Sequence, residues 1–371
     1  MRSRSPIAPV HLLLVALLAL PMFAFGGIHA VSAQGEECAT GEAASPEAGM
    51  ATPAADAGAS PAAQLSGEGL NISFLPKDVV NNYFASNYRG AEEAAAEIGG
   101  TVEQVGPDTP NAAEQVTFIQ TLTQQGVDAI AVSANDPDAL APALNEARAQ
   151  GIKVVSFDSD VAPDARDVFV NQANSEDIGR IQVQIIGRLI GCEGQIAILS
   201  AAATATNQNA WIEFMQDELT RPGYENIELV EVVYGDDEPQ KSYDRTLELL
   251  TAYPDLKGII SPTTVGISNA AAALRDEGRT DVALTGLGLP NEMREFVQDG
   301  TVQEFALWNP TDLYYLTYYT AVALVQGVIT GSPGETYTAG RLGEYTIGEN
   351  STVLLGPPFI FNADNIDDFN F

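Results

Sequence analysis

The sequence predicts an α/β protein made of two doubly wound lobes, each a parallel sheet covered by helices on both faces. Strand-like and helix-like segments alternate regularly along the body of the chain, the pattern of parallel sheets with crossover helices. The alternation runs as two successive series, the second beginning after about Asn174. With 371 residues, 45% of them hydrophobic, the chain is long enough for two ordinary domains with cores of their own.

The body begins at Leu70. Asn71–Leu75 reads as a strand, and residues 86–98 as a helix with small apolar residues on one face. Residues 127–132 form a strand, 138–149 a helix ended by Gly151, and Lys153–Phe157 the next strand. In the second series the strands are 195–199, 228–233, 258–260 and 282–284. The helices between and after them are 208–219, 240–252, 266–277 and 291–297.

The N-terminus carries a different signal. Arg2 and Arg4 precede an apolar run over residues 12–20, and Val31-Ser32-Ala33 places small residues where a signal peptidase cuts. Residues 1–33 are expected to be a secretory signal peptide, cleaved after Ala33, the alternative being a retained membrane anchor. Export to the periplasm or cell surface follows. Lipidation at Cys38 is disfavoured because Gly35-Glu36-Glu37 precedes it. Residues 34–69, rich in Ala, Gly, Pro, Ser and Glu, are too poor in large apolar side chains to form a core, and predict a disordered tether.

Composition excludes several function classes. There are 17 Lys and Arg against 50 Asp and Glu, a formal net charge of −33, which repels phosphate backbones and argues against a nucleic-acid partner. The only histidines, His11 and His29, lie in the signal segment. A cleaved chain is therefore without His-based acid–base catalysis, a Ser-His-Asp triad or His-ligated metal sites. No cofactor or metal is predicted. Cys38 and Cys192 are expected to be free thiols, because pairing them would have to pin the tether.

In open α/β sheets, ligands bind beyond the carboxyl ends of the strands. The polar residues at those ends are Lys77, Asp158, Asn207, Thr263, Thr264 and Trp308. Planar polar groups that donate and accept, beside aromatic rings, suit the hydroxyls and C–H faces of a sugar. Asp158, Asn207 and Gln208 supply the former, and Tyr83, Phe84 and Trp308 the latter. Alternatives stay open: Asn207 and Gln208 as helix caps, Asp158 as an acceptor between lobes, Trp308 as core. Asp158 with Asp160 also allows a calcium corner or a glycosidase pair.

The stretches Val132-Ser-Ala-Asn-Asp-Pro-Asp-Ala-Leu140, Thr204-Ala-Thr-Asn-Gln-Asn-Ala-Trp211 and Val233-Tyr-Gly-Asp-Asp237 carry a family likeness. It continues through Ser261-Pro-Thr-Thr-Val-Gly-Ile267, Thr285-Gly-Leu-Gly-Leu-Pro290 and Phe305-Ala-Leu-Trp-Asn-Pro310. Ala339-Gly-Arg-Leu-Gly-Glu-Tyr345 and Leu355-Gly-Pro-Pro-Phe359 extend it toward the end. On these, the body from Leu70 to Phe371 resembles the type I, ribose-binding-like periplasmic binding proteins. It is most similar to the L-rhamnose-binding branch of ABC sugar transporters, a neighbour of the autoinducer-2-binding proteins.

The resemblance implies a non-enzymatic, monomeric receptor that closes on a monosaccharide, L-rhamnose, and delivers it to ABC permease subunits. It implies two lobes joined by three crossings, near 172–174, 308–310 and 338–341. The lobes then comprise residues 70–172 with 309–339, and 173–308 with 340–371. Lys77, Phe84, Asp158, Gln208 and Pro262 are contacts shared with the autoinducer-2 relatives. Those relatives carry Asp where this chain has Asn207 and Ala where it has Thr264, and both differences run toward the rhamnose pattern. Tyr83 and Phe84 stand where ribose binders place stacking rings, Trp308 where they place a contact near the hinge, and Asn81 at another of their contacts. Competing readings are a carboxylate glycosidase and a receptor for autoinducer-2 or another pentose or deoxysugar. A LacI-type repressor shares the fold, but an export signal stands where its DNA-binding helices would be.

Overall fold

A computed structural model describes Cys38 and residues 65–371. The signal-peptide expectation and most of the tether fall outside these residues.

The first lobe opens with β1 (Asn71–Leu75), α1 (Asn82–Ala85), α2 (Arg89–Ile98), β2 (Thr101–Gln104) and α3 (Ala112–Gln125). It continues through β3 (Ala129–Val132), α4 (Pro137–Ala149), β4 (Lys153–Phe157) and β5 (Val168–Asn171). The chain then crosses into α5 (Ser175–Ile190), β6 (Glu193–Ser200), α6 (Thr206–Leu219), β7 (Asn226–Tyr234) and α7 (Pro239–Ala252). The second lobe goes on with β8 (Leu256–Ser261), α8 (Thr264–Asp276), β9 (Ala283–Gly286), α9 (Pro290–Gln298) and β10 (Glu304–Leu307). The C-terminal stretch holds α10 (Pro310–Val325), β11 (Thr336–Thr338), β12 (Glu344–Thr346), β13 (Thr352–Leu354) and β14 (Phe359–Asn362).

Local chemistry accounts for these elements. Every residue of β3 is buried, as an apolar strand covered on both faces requires. Helix α3 starts where the Asn111 side chain accepts the Glu114 amide and stops at Gly126 in the left-handed conformation. Helix α4 starts at Asp136, whose carboxylate takes the amides of Asp138 and Ala139, with Pro137 in the first turn. Helix α10 is buried along nearly its whole length because it lies under α2 and against the first-lobe strands.

The first sheet is six-stranded, in the order β13-β5-β4-β3-β1-β2, and the four-stranded second sheet runs β7-β6-β8-β9. All their pairings are parallel. A parallel bridge, Leu287 to Ala306, carries the second sheet on to β10, which pairs antiparallel with β14. Both lobes therefore repeat one doubly wound order, β2-β1-β3-β4-β5 and β7-β6-β8-β9-β10, and their switch points lie between β1 and β3 and between β6 and β8.

Three expectations are corrected. The ordered body begins before Leu70: Leu65 is buried and the Gly67 amide bonds the Ile98 carbonyl, so residues 65–69 are not tether. The last crossing does not lie near 338–341. Strand β13 pairs with β5, and the Leu355 amide bonds the Asn171 carbonyl, so residues 340–355 stay with the first lobe. The chain leaves it through Gly356-Pro357-Pro358 into β14. A three-residue strand is too short to reveal its sheet by periodicity.

The cysteines are not free. Cys38 and Cys192 form a disulfide spanning 154 residues, with Cα atoms 5.4 Å apart. Cys192 sits between α5 and β6, and the Cys38 sulfur lies over Gly187, where a Cβ would come within 2.7 Å of it. The expectation failed because pinning a long loop costs little more than pinning a short one, and the link withdraws that entropy from the unfolded chain. Reducing the bond, or Cys192→Ser, should lower unfolding free energy by about 2–5 kcal/mol. Guanidinium denaturation of oxidised and reduced protein measures this, and a loss under about 1 kcal/mol would show the bond to be incidental.

Candidate ligand-binding site

The carboxyl ends of both sheets face one cavity. Lys77, Asn81, Tyr83, Phe84, Asp158, Asn207, Gln208, Pro262, Thr263, Thr264 and Trp308 all line it. The structure thus brings together every residue expected to contact a sugar. Each comes from a strand end, the loop after it or the first turns of the helix that follows: Lys77 after β1, Tyr83 and Phe84 in α1, Asp158 after β4, Asn207 and Gln208 in the first turn of α6, Pro262 and Thr263 after β8, Thr264 at the start of α8, and Trp308 after β10.

Asp158 is the most constrained. It leaves β4 with φ of +59°, a left-handed turn that aspartate tolerates better than most residues. Only 4% exposed, it accepts a 2.7 Å hydrogen bond from Ser133 Oγ and a longer one, 3.5 Å, from Asn207 Nδ2. The Tyr83 hydroxyl reaches it as well. Burial pushes the carboxyl up from its ordinary value, while the Lys77 charge and the Ser133 and Tyr83 hydrogen bonds oppose that rise.

Lys77 Nζ donates to Asn207 Oδ1 at 3.3 Å, across the cleft. Other bonds cross it too: Ser159 Oγ to Thr206 Oγ1 at 3.2 Å, Thr204 Oγ1 to the Asn135 carbonyl at 3.2 Å, and Asn82 Nδ2 to Glu292 at 2.7 Å. The lobes are closed on one another. Trp308 Nε1 donates to the Tyr83 hydroxyl at 2.8 Å, and the two rings meet edge to face at 6.2 Å.

The open alternatives resolve on contacts. Helix α6 has Ala205 at its N-cap and no side-chain cap, while Asn207 Oδ1 accepts from Lys77 and from the Gln208 amide. Asn81 does cap α1, taking the Tyr83 amide at 2.9 Å, and lines the cavity besides. Thr263 precedes α8 without capping it, because its hydroxyl donates to Asp237. Asp160 is turned away from the cavity into a bidentate pair with Arg166, at 2.7 and 2.9 Å, so it forms no acid pair with Asp158. Trp308 is both core, at 4% exposure, and cavity wall.

Trp211, Asp237, Leu287 and Leu307 also line the cavity and were missed. Trp211 and Asp237 stand inside the stretches that carry the family likeness. Asp237 follows β7 with φ of +54°, so its strand-end position was the available signal. Burial pushes its carboxyl up, with Lys77 and Thr263 opposing.

Two such repeated sheets closing on a polar, aromatic-walled cavity are the architecture of a receptor for a small solute. Residues 72–328 match the model of the periplasmic binding protein domain, and the chain belongs to that family. A sugar ABC transporter protein from Actinomyces odontolyticus is 49% identical and covers 83% of this chain and 100% of its own, with a TM-score of 0.69. An ABC transporter solute-binding protein from Clostridium phytofermentans, solved with bound L-rhamnose, is 40% identical over 81% of this chain and 97% of its own, TM-score 0.78. LsrB from Clostridium saccharobutylicum, in complex with AI-2, is 26% identical over 81% and 100%, TM-score 0.77. These homologues are binding components of transporters, not enzymes. Among the described residues no helix is long and apolar enough to cross a membrane.

The raised carboxyls give a pH dependence with a definite sign. Asp158 and Asp237 titrate above 3.8 in the native state. From 3.8 up to those raised values the native state keeps protons that the unfolded chain has released, so stability falls as pH rises through this window. Melting of ligand-free protein should therefore move to lower temperature as pH is raised above 3.8, and Asp158→Asn should flatten part of that trend. An equal or steeper trend in the variant would contradict the assignment.

Proposed function

We propose that this protein is the exported binding component of an ABC sugar importer, taking up L-rhamnose as a monomer and handing it to membrane permease subunits. The observation that carries this reading is the convergence of Asp158, Asn207, Gln208 and Lys77 with the Tyr83, Phe84 and Trp308 rings on one cavity. Planar donors and acceptors hold the hydroxyls, while the aromatic walls take the C–H faces and the 6-methyl group of a deoxysugar. The 40% identity to a relative that holds L-rhamnose supports the choice of sugar. A second reading, AI-2, rests on the weaker likeness to LsrB. Asn207 and Thr264, standing where the autoinducer-2 pattern has Asp and Ala, disfavour it.

Isothermal titration decides between them. Rhamnose should bind best, lyxose and mannose more weakly, and AI-2 poorly. Asp158→Ala should weaken rhamnose binding by about 2–4 kcal/mol, since a charged acceptor is lost and buried donors are left unpaired. Asn207→Asp places a second carboxylate beside Asp158 and should also weaken it. Tight AI-2 binding with no response to rhamnose would reverse the ligand assignment, and an unimpaired Asp158→Ala would misplace the site.

Closure should be visible in solution. Hinges at 172–174, 308–310 and 356–358 predict a smaller radius of gyration in small-angle scattering once rhamnose is added. An unchanged profile at saturation would argue against a hinged cleft.

A further inference from the structure

Buried polar groups in native proteins nearly always have partners, so the exceptions point to something. Two exceptions line the cavity. Trp211 is 2% exposed and its Nε1 has no hydrogen-bond partner among the described residues; Gln208 is 5% exposed and its Oε1 has none there either. They stand three residues apart on α6 and so project from one face of the helix. The indole nitrogen can only donate, and the amide oxygen can only accept.

We infer that Trp211 Nε1 and Gln208 Oε1 together read a single ligand hydroxyl, making it the specificity determinant contributed by the second lobe. The inference rests on the sugar-binding reading and deepens it. A hydroxyl satisfies both groups at once, donating its proton to Gln208 and accepting from Trp211. A methyl group or hydrogen in its place leaves two buried polar atoms unpaired, and a carboxylate or ammonium satisfies only one of them. The Trp211 ring packs on Trp308 at 5.9 Å, which fixes the indole in the wall of the cavity and holds its N–H in place for the ligand.

The test titrates L-rhamnose and its 1-, 2-, 3- and 4-deoxy analogues into wild type, Trp211→Phe and Gln208→Met. Phenylalanine keeps an aromatic ring against Trp308 and removes the donor; methionine keeps the length and removes the acceptor. On wild type, one analogue should bind about 100-fold or more weaker than rhamnose. Each variant should lose about tenfold toward rhamnose. For that same analogue the penalty should shrink by about tenfold in both variants, while the other penalties stay as they were. The inference falls if Trp211→Phe binds rhamnose within about twofold of wild type, or if the two variants blunt different hydroxyls. Should Trp211→Phe fail to melt cooperatively without ligand, Gln208→Met decides alone. If wild type binds none of these sugars, the sugar reading falls and takes this inference with it; if wild type binds and the variants are silent, only this inference fails.

Discussion

A carboxylate taken out of water must find charged or polar company, and Asp158 finds it on both sides of the cleft. Ser133 at the end of β3, Tyr83 on α1 and Lys77 after β1 hold it from its own lobe. Asn207 reaches it from the other lobe and at the same time accepts from Lys77. The consequence is a network in which the polar groups of a closed cleft depend on one another. A ligand that enters must replace the bonds made by Asn207 with bonds at least as good, which favours one rich in hydroxyls.

The network is possible because the same strand order occurs twice. In each lobe the central strands end at a switch point, where neighbouring loops part and leave a crevice. Facing the two crevices toward each other collects short loops from β1, β4, β6, β7, β8, β9 and β10 into one place. Each segment contributes between one and four side chains, so no single segment resembles a complete site. Rings serve two purposes here: Trp308 belongs to the core, bonds Tyr83 and forms part of the wall, which makes the wall as rigid as the core behind it.

The Cys38–Cys192 bond attaches the N-terminal segment to the second lobe at the start of β6, the end of that strand away from the cavity. The crossings differ in construction as well. Two pass directly between a strand and a helix, whereas the third runs through Gly356-Pro357-Pro358 between two short strands that belong to different sheets.

Much was legible in the sequence because much is local. Apolar runs of strand length, Asn and Asp caps, and glycine stops are governed by a residue's near neighbours, and β1, β4 and α4 follow from them. Apolar strands place Lys77 and Asp158 at their ends, and the likeness stretches hold Asn207, Gln208, Pro262, Thr263, Thr264 and Trp308; both sets line the cavity. What periodicity missed depends on distant partners. Strand β13 exists because β5 lies beside it, and the disulfide because folding brings Cys38 over Gly187. Whether Asp160 joins Asp158 was decided by Arg166, six residues on but positioned only by the fold. Trp211 reads as one more apolar residue on a helix until the cavity beside its indole nitrogen is known. The sequence by itself determined the elements and the strand ends at which chemistry collects. The tertiary structure alone decided which polar atoms there are already paired, because hydrogen bonds and burial are properties of neighbours that the chain brings together only when folded.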